Sequence, residues 1–398
     1  LVQSYRRAYY KRIKKAGIDT SRFTTKISAP ETFIINKDSI KYEQKNGSVL
    51  LKINAIDSLF HLSSFNLWVN DVPLFGMKGL SVNRRRSRSF DTSISVALTA
   101  GENKIVAAVV NASGTESYHM PLFVKYTPVQ PIAEKVFFIG IGINQFADKK
   151  HNLKWCVKDI RDLALQFRRK YPGIQIDTLF DEQVTLQHVQ QLKQKLQQTT
   201  IHDKVIIAYS GHGLLSKEYD YYLSTYNTNF SKPDENGIPY EEIENLLDGI
   251  PARKKLLLLD ACHSGEVDKE EMMTIQTKNQ QSVEGMILTK GSEEETYQTK
   301  TVGLQNSFEL MQSLFVNVGK GTGTTIISAA GGVQFALERG DLKNGVFTYS
   351  ILEAMWQNKN MTVTRLQKQV RQRVEELTDG LQKPTNREEL KDVDWNVW

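Results

Sequence analysis

The sequence predicts an all-β region followed by a larger α/β region with a mostly parallel sheet flanked by helices. At 398 residues the chain should form two or three domains, because one hydrophobic core seldom grows past about 250 residues. Short β-type runs separated by turn formers occupy residues 26–128, whereas apolar strands alternate with helical stretches over residues 134–398. Strands that are apolar on both faces and joined by helices are typical of a covered parallel sheet.

The composition is that of a globular protein and argues against a membrane-spanning chain. Hydrophobic residues make up 40% of the chain and charged residues 24%. No run approaches the roughly 20 apolar residues that a membrane helix requires. The two cysteines, Cys156 and Cys262, do not suffice for a disulfide framework and have no metal-ligand spacing. We therefore expect a soluble protein of a reducing, cytoplasmic compartment.

The excess positive charge lies at the start of the chain. The net charge is +6, and residues 1–15 contain six lysines and arginines with no acid. A weak helical stripe in this stretch predicts a basic helical or connecting segment over residues 1–25. Because the chain begins with Leu1 rather than Met, we expect a processed product or a piece of a longer protein.

The β-type runs predict an immunoglobulin-like sandwich over residues 26–128. Turn sequences such as KNGS, TAGEN and NASGTE separate the runs at the spacing of an antiparallel sandwich. The stretch TPVQPIAEK, with Pro128 and Pro131, is predicted to be a linker. The predicted strands are TFIIN, VLLKINAI, FNLWVNDVPL, SFDTSISVAL, NKIVAAVV and MPLFVKY.

The α/β region is predicted to alternate strands and helices around a polar insert. The predicted strands are 135–143, QIDTLF, 203–211, 254–262 and 323–331, with a hairpin-like YDYYLSTY. The predicted helices lie near 153–171, 184–199, 239–249, 346–357 and 362–378. Residues 266–322 form a polar insert of low aromatic content, closed by a helical stripe in NSFELMQSLFVNV.

Two of these strands end in reactive side chains. KVIIAYSGHG carries Ser210 and His212, and KKLLLLDACHSG carries Asp260 and Cys262. Ligands bind at the carboxyl ends of parallel strands, where the loops begin. A thiol needs a nearby base to become a nucleophile, and an imidazole can also protonate the leaving group. Adjacent glycines let a substrate backbone approach closely. The pattern predicts a Cys262–His212 dyad.

Each of these residues also has a structural interpretation. A lone cysteine at the end of an apolar strand is usually a small buried hydrophobe, and a lone histidine is usually a satisfied polar residue. Finding both at strand ends favours the dyad. Cys156 has no adjacent base in the sequence and is predicted to pack in the core. His263 should point away from the site, because neighbours on an extended segment face opposite sides.

The SGHG and DACHSG motifs resemble the caspase-like clan of cysteine peptidases, of the peptidase C14 type. In that clan the histidine precedes the cysteine by about 50 residues, and here 262 − 212 = 50. The segments SAAGGVQFALE, NGVFTY and KPTNREELKDVDWNVW are similar to the small-subunit half of bacterial caspase-like proteins, some of which carry a preceding propeller domain. The resemblance covers residues 134–398 and implies a caspase-like sheet and a cysteine endopeptidase of the EC 3.4.22 type.

The resemblance also bears on specificity. Caspases have Gln two residues before the nucleophile, whereas this chain has Asp260, as in metacaspases and their bacterial relatives, which cut after Arg or Lys. The resemblance implies that Asp260 and Asp159 of CVKD are pocket acids and that Ser210 lines the same pocket. It also implies an oxyanion hole formed by the backbone amides of Cys262 and Gly213. Two carboxylates in one cavity repel each other, and a substrate cation relieves that repulsion.

Alternatives stay open for two of these residues and for the insert. Asp159 could be a solvated residue on its helix, and Ser210 could bond local backbone.

In the clan, a loop after the nucleophile is often cut during maturation, so the insert lysines are candidate processing sites; a merely mobile insertion is the alternative. These lysines are Lys269, Lys278, Lys290 and Lys300. Some metacaspases need Ca²⁺, but the insert acids lack an EF-hand pattern, so we expect no cofactor and leave calcium open.

Two other functions are compatible with the sequence. One is a caspase-like peptidase with acidic specificity. The other is a non-catalytic scaffold or binding module, supported by the basic start and by RRRSR, with Arg84, Arg85, Arg86 and Arg88. Aromatic residues do not interleave these arginines, which disfavours nucleic acid as a partner. The expected partners are protein or peptide substrates and a regulatory partner or additional N-terminal domain.

Overall fold

The computed structural model describes residues 6, 10, 28–82, 86–216, 220–263, 287–289, 321–329, 336–387 and 394–398. Of the predicted basic segment, Arg6 and Tyr10 are described; both are helical, and the Arg6 guanidinium lies 5.8 Å from the centre of the Tyr10 ring. The rest of that predicted segment lies outside the described residues, as does most of the predicted insert.

Residues 28–126 form two largely antiparallel sheets that share one hydrophobic core. One sheet has the strand order β1-β3-β7, and the other runs β2-β9-β8-β4-β5 with β6 beside β4. Alternate residues of β3 are buried, as expected for a strand with one face on a core. The strands are β1 (Glu31–Ile34), β2 (Glu43–Gln44), β3 (Ser48–Ile56), β4 (Leu62–Val69), β5 (Val72–Pro73), β6 (Leu80–Ser81), β7 (Ser89–Ala97), β8 (Gly101–Asn111) and β9 (Pro121–Tyr126). The immunoglobulin-like assignment and the domain boundaries stay predictions.

From residue 136 onward the chain is mixed α/β, as predicted. The described strands are β10 (Val136–Gly142), β11 (Gln175–Phe180), β12 (Lys204–Leu215), β13 (Tyr221–Leu223), β14 (Ile238–Pro239), β15 (Lys254–His263), β16 (Ile287–Thr289), β17 (Thr325–Ser328), β18 (Leu337–Arg339), β19 (Asn344–Gly345) and β20 (Thr385–Arg387). The described helices are α1 (Cys156–Lys170), α2 (Leu186–Leu196), α3 (Tyr240–Leu247), α4 (Val346–Gln357) and α5 (Val363–Leu377).

The main sheet has the order β11-β10-β12-β15-β17-β20. The first five strands in this order, β11, β10, β12, β15 and β17, are parallel, and β20 pairs with β17 in the antiparallel direction. Strands β12 and β15 run further than the sequence predicts, to Leu215 and His263. They do so because they pair with each other along this stretch and because β13 adds to β12 on its other edge. His212 therefore lies within a strand, and not in a loop after it.

Apolar side chains cover the main sheet on both faces. One core cluster joins the sheet to α1, α4 and α5, and the other joins it to α2 and α3. Along β15, Leu256 and Leu258 belong to the first cluster, whereas Leu257 and Leu259 belong to the second. The leucine run is thus a strand buried on both faces, which is what a covered parallel sheet requires.

The loop between β5 and β6 contacts the α/β region. The backbone amide of Met77 donates to Asp248 Oδ1 at 2.8 Å. Gly323, just before β17, has φ +69, and a Cβ placed there would lie 2.6 Å from Cγ2 of Val72. A glycine is required here both by the left-handed backbone and by the close approach of the β region.

No helix in the described part of the chain is long and apolar enough to cross a membrane.

Lys255 is a buried cation beneath α3. Its side chain is 1% exposed, and Nζ donates to the carbonyl oxygen of Leu247 at 3.1 Å. Burial lowers the pKa of Lys255 to about 7; Asp248 opposes this shift and Lys193 adds to it. Between pH 7 and the ordinary lysine pKa of about 10.4, the unfolded state holds more protons than the folded state. Stability should therefore rise with pH across this window.

We expect Lys255→Met to raise the free energy of unfolding by about 1 kcal/mol or more near pH 6.5, because it removes an ammonium from the core. The gain should shrink as pH approaches 10, where the unfolded lysine also loses its proton. Urea unfolding at both pH values measures this. Lys52→Met, which replaces an exposed lysine on β3, is the control and should show no such pH dependence. An equal gain at both pH values would contradict the assignment.

Candidate active site

His212 and Cys262 lie side by side in the backbone of the main sheet. In the parallel pairing of β12 with β15, His212 is the register partner of Cys262, and Ser210 is the register partner of Asp260. Adjacent strands lie about 4.8 Å apart. The two motifs, 50 residues apart in the sequence, are therefore neighbours in the fold, as predicted. The side chains of Cys262 and His263 are outside the described part of the structure.

A backbone carbonyl holds the imidazole of His212. The ring is 3% exposed, and Nε2 lies 2.9 Å from the carbonyl oxygen of His151. Because a carbonyl oxygen can only accept a hydrogen bond, Nε2 must carry the proton. In the neutral ring the lone pair then lies on Nδ1, which is also buried. This tautomer allows Nδ1 to accept a proton from a neighbouring group.

Aromatic rings surround His212. The ring centres of Phe146 and Phe230 lie 5.3 and 5.2 Å from that of His212, and Phe230 meets it edge-on at 88°. The His151 ring stacks on Phe230 with a centroid distance of 3.6 Å and an interplanar angle of 8°. Burial lowers the pKa of His151, against the opposing effect of Asp148. The imidazole of His212 thus lies in a largely apolar environment.

Asp159 is a fully buried carboxylate in the first turn of α1. It is 0% exposed, and its Oδ2 accepts from Oγ of Ser210 at 2.9 Å. Its Oδ1 accepts from Nδ2 of Asn344 at 2.9 Å and from the amide of Gly345 at 3.0 Å. The alternative of a solvated residue on the helix surface is therefore wrong, since β19 covers this end of α1. The Ser210 hydroxyl bonds a carboxylate 51 positions away.

Asp260 lies next to this carboxylate. It is 3% exposed, and its Oδ2 accepts from Oγ1 of Thr348 at 2.6 Å. A Cβ placed on Gly345 would lie 2.5 Å from Oδ2 of Asp260 and 3.2 Å from Oδ2 of Asp159. The two acids predicted for one pocket therefore converge on the same glycine.

The sequence analysis missed the residues that hold these groups. Asn344, Gly345 and Thr348 at the start of α4 bond the two acids, and His151 and Phe230 contact His212. NGVFTY was noted for its resemblance to the family, yet no spacing rule connects Asn344 to an acid 185 positions earlier. His151 acts through its backbone, which leaves no signal in the residue type.

The glycines near His212 have different surroundings. A Cβ on Gly211 would lie 2.6 Å from both Cγ2 of Ile143 and the hydroxyl of Tyr209. Gly211 is therefore needed for internal packing, and not only for the approach of a substrate. Gly213 is in register with Leu223 on β13 and His263 on β15. Its role in an oxyanion hole stays a prediction.

Other predicted residues lie away from this site or outside the described chain. Cys156 is buried in the core cluster that includes α2 and α3, as predicted for a packing residue. Nη1 of Arg88 donates to the carbonyl oxygen of Ser58 at 2.7 Å, and Arg86 is exposed. Arg84 and Arg85 lie outside the described residues. So do the candidate processing sites Lys269, Lys278, Lys290 and Lys300.

Within the described ranges, no group of three or more His, Cys, Asp or Glu side chains is arranged to hold a metal ion. All acids of the predicted insert fall outside these ranges.

A cysteine and a histidine on adjacent strands of a covered, mostly parallel sheet form the arrangement expected of an α/β cysteine peptidase. Residues 139–393 match the family model of the peptidase C14 caspase domain. The chain therefore belongs to this family of cysteine peptidases.

No curated protein matches the chain. Among solved structures, the chain is similar to protein GSU0716 from Geobacter sulfurreducens, with 20% sequence identity and a TM-score of 0.42. That similarity covers 64% of this chain and 92% of the other.

We expect Gly345→Ala to destabilise the protein by about 1–3 kcal/mol, because the added methyl group would press on the buried carboxylate of Asp260. Gly345 has φ −59 and ψ 139, which alanine adopts freely, so the effect would be steric. Gly340→Ala is the matched control, since a Cβ there meets nothing within 4 Å. Thermal unfolding compares the two variants. Equal stability would show that the acids can move away from Gly345.

Proposed function

We propose that the protein is a cysteine endopeptidase that cleaves after Arg or Lys, with Cys262 as nucleophile and His212 as general base and acid. The observation that carries the proposal is the register pairing of His212 with Cys262, together with the hydrogen bond that leaves His212 Nδ1 as the basic nitrogen. Membership of the caspase-domain family supports the same chemistry.

In the proposed mechanism, Nδ1 of His212 takes the proton of the Cys262 thiol. The thiolate attacks the substrate carbonyl, and the backbone amides of Cys262 and Gly213 bind the oxyanion, as the family resemblance implies. Collapse of the tetrahedral intermediate breaks the C–N bond, and His212 protonates the departing amine. His212 then activates a water molecule that hydrolyses the thioester and regenerates the thiol. Throughout the cycle, Nε2–H donates to the His151 carbonyl.

The two buried acids support the proposal that the substrate residue before the cleaved bond is basic. Asp159 and Asp260 both lie next to Gly345, and the register pair Ser210–Asp260 precedes the proposed catalytic pair by two strand positions. Two carboxylates at such a site repel each other, and a guanidinium or ammonium group of the substrate relieves that repulsion. A peptidase with this preference could also cut its own insert at the candidate lysines.

We expect Cys262→Ala to lower cleavage of Arg- and Lys-containing peptides by at least about 10³-fold without unfolding the protein, because it removes the nucleophile. Cys156→Ala removes the other thiol, which is buried in the core, and should keep the activity. Mass spectrometry of the purified wild type beside Cys262→Ala shows whether the chain cuts itself and after which residue. Equal peptidase activity in wild type and Cys262→Ala would reject the proposal.

We expect Asp260→Asn to lower kcat/KM for peptides with Arg at the cleavage position by roughly 10-fold or more, because it removes one pocket charge. Cleavage of peptides with a neutral residue there should fall less. Asp38→Asn, which changes an exposed acid in the β region, serves as the control. The panel also contains peptides with Asp at that position. If the wild type prefers peptides with Asp at the cleavage position, the proposed basic specificity is wrong and the specificity is acidic.

A further inference from the structure

We infer that the side chain of His151 is a positioning residue for His212, because its stack on Phe230 holds the carbonyl that selects the tautomer of His212. This inference rests on the proposed function, since it concerns the base of that reaction. No residue-type pattern in the sequence pointed to His151, and its effect is exerted through the backbone.

The carbonyl of His151 belongs to a short, tightly bonded loop. His151 ends the 3₁₀ turn Lys149–His151, whose preceding residue, Asp148, accepts from the amide of Lys150 at 3.2 Å. On the other side, Oδ1 of Asn152 accepts from the amide of Phe146 at 2.9 Å. These bonds restrain the loop, but neither of them involves the peptide oxygen that faces His212.

The His151 ring connects this loop, which lies between β10 and α1, to the loop between β13 and β14, which contains Phe230. It lies flat on Phe230, with a 3.6 Å centroid distance and an 8° angle, and its side chain is 31% exposed. Phe230 also meets Phe146 edge-on, with ring centres 5.3 Å apart. The two loops are joined in addition by the bond from the amide of Ala147 to the carbonyl of Tyr226, at 3.0 Å. The stacked pair therefore spans the two loops directly beside His212.

Loss of the stack would affect catalysis through the proton of His212. With the His151 carbonyl in place, Nε2 carries the proton and Nδ1 can accept one from a thiol. If the carbonyl moves away, the neutral ring is free to place its proton on Nδ1. That tautomer cannot take a proton at Nδ1. The fraction of competent enzyme then falls while the substrate pocket, built on Asp159 and Asp260, is unchanged.

The kinetic test compares His151→Ala, His151→Phe, Phe230→Ala and the double alanine variant. We expect His151→Ala to lower kcat roughly 10- to 100-fold with little change in KM, since a small misplacement of a catalytic group has effects of this size. His151→Phe keeps a flat ring on Phe230 and should restore most of kcat. The double variant should be little worse than either single one, because the two rings act together.

The matched control is His119→Ala, in the β region. The His119 ring packs on Trp68 at a 5.2 Å centroid distance, so this variant also removes a histidine from an aromatic contact. Its kcat should equal that of the wild type. A kcat for His151→Ala equal to that of active wild type would overturn the inference. So would failure of His151→Phe to rescue a folded enzyme, with folding checked by thermal unfolding.

A second readout does not depend on peptidase activity. In ¹⁵N-histidine-labelled protein with Cys262→Ala, the nitrogen shifts of His212 report which ring nitrogen carries the proton. We expect Nε2–H in this background, a shift of population toward Nδ1–H on adding His151→Ala, and Nε2–H again with His151→Phe. An unchanged tautomer in the His151→Ala protein would overturn the inference. An inactive wild type would instead reject the proposed function, and the tautomer measurement would still decide this inference.

Discussion

The parallel pairing of β12 with β15 is the constraint on which the rest of the site depends. It sets Ser210 beside Asp260 and, two register positions further on, His212 beside Cys262. The leucine run of β15 explains why this register is maintained. Its side chains alternate between two core clusters, so a slip of one residue would move each leucine to the opposite face. The packing of the leucine side chains in the core thus determines which residues of β12 and β15 lie side by side at the ends of these strands.

The acids depend on a second set of contacts, between parts of the chain that are distant in sequence. The amide of Gly345, directly before α4, and the side chains of Asn344 and Ser210 all donate to Asp159. Burying a carboxylate is costly unless donors replace its lost hydration. The start of α4 supplies such donors, so the segment after the insert completes a site whose acids come from before it. Asp260 is bonded by the same helix through Thr348.

The imidazole of His212 lies in a largely apolar environment. Phe146 and Phe230 pack against the imidazole, and the hydrogen bond to the His151 carbonyl places a proton on Nε2. The chain belongs to the caspase-domain family, and the acid Asp260 precedes Cys262 by two positions on the same strand. The two paired strands therefore bring a thiol, an imidazole and a buried acid within a few residues of one another.

Much of the α/β fold could be predicted from the sequence, because strands buried on both faces appear as apolar runs and helices as periodic ones. The helix Val346–Gln357 and the strand that starts at Lys254 match the predicted bounds closely. The extension of β12 from His212 to Leu215 could not be predicted, since it starts with His and Gly, and Gly has little strand preference; this stretch is a strand here because β13 and β15 lie alongside.

The sequence by itself determined the fold class of the α/β region, the candidate pair of His212 and Cys262, and the acids Asp159 and Asp260. The fold class and the pair follow from residue type and local spacing, whereas the two acids were assigned through the resemblance to metacaspases. Only the tertiary structure decided that Asp159 is buried, that both acids lie close to Gly345, and that the His151 carbonyl sets the tautomer of His212. Those features depend on hydrogen bonds and close approaches between distant segments. Several of these contacts are made by backbone groups, which are nearly the same in every residue type and therefore leave no signal in the sequence.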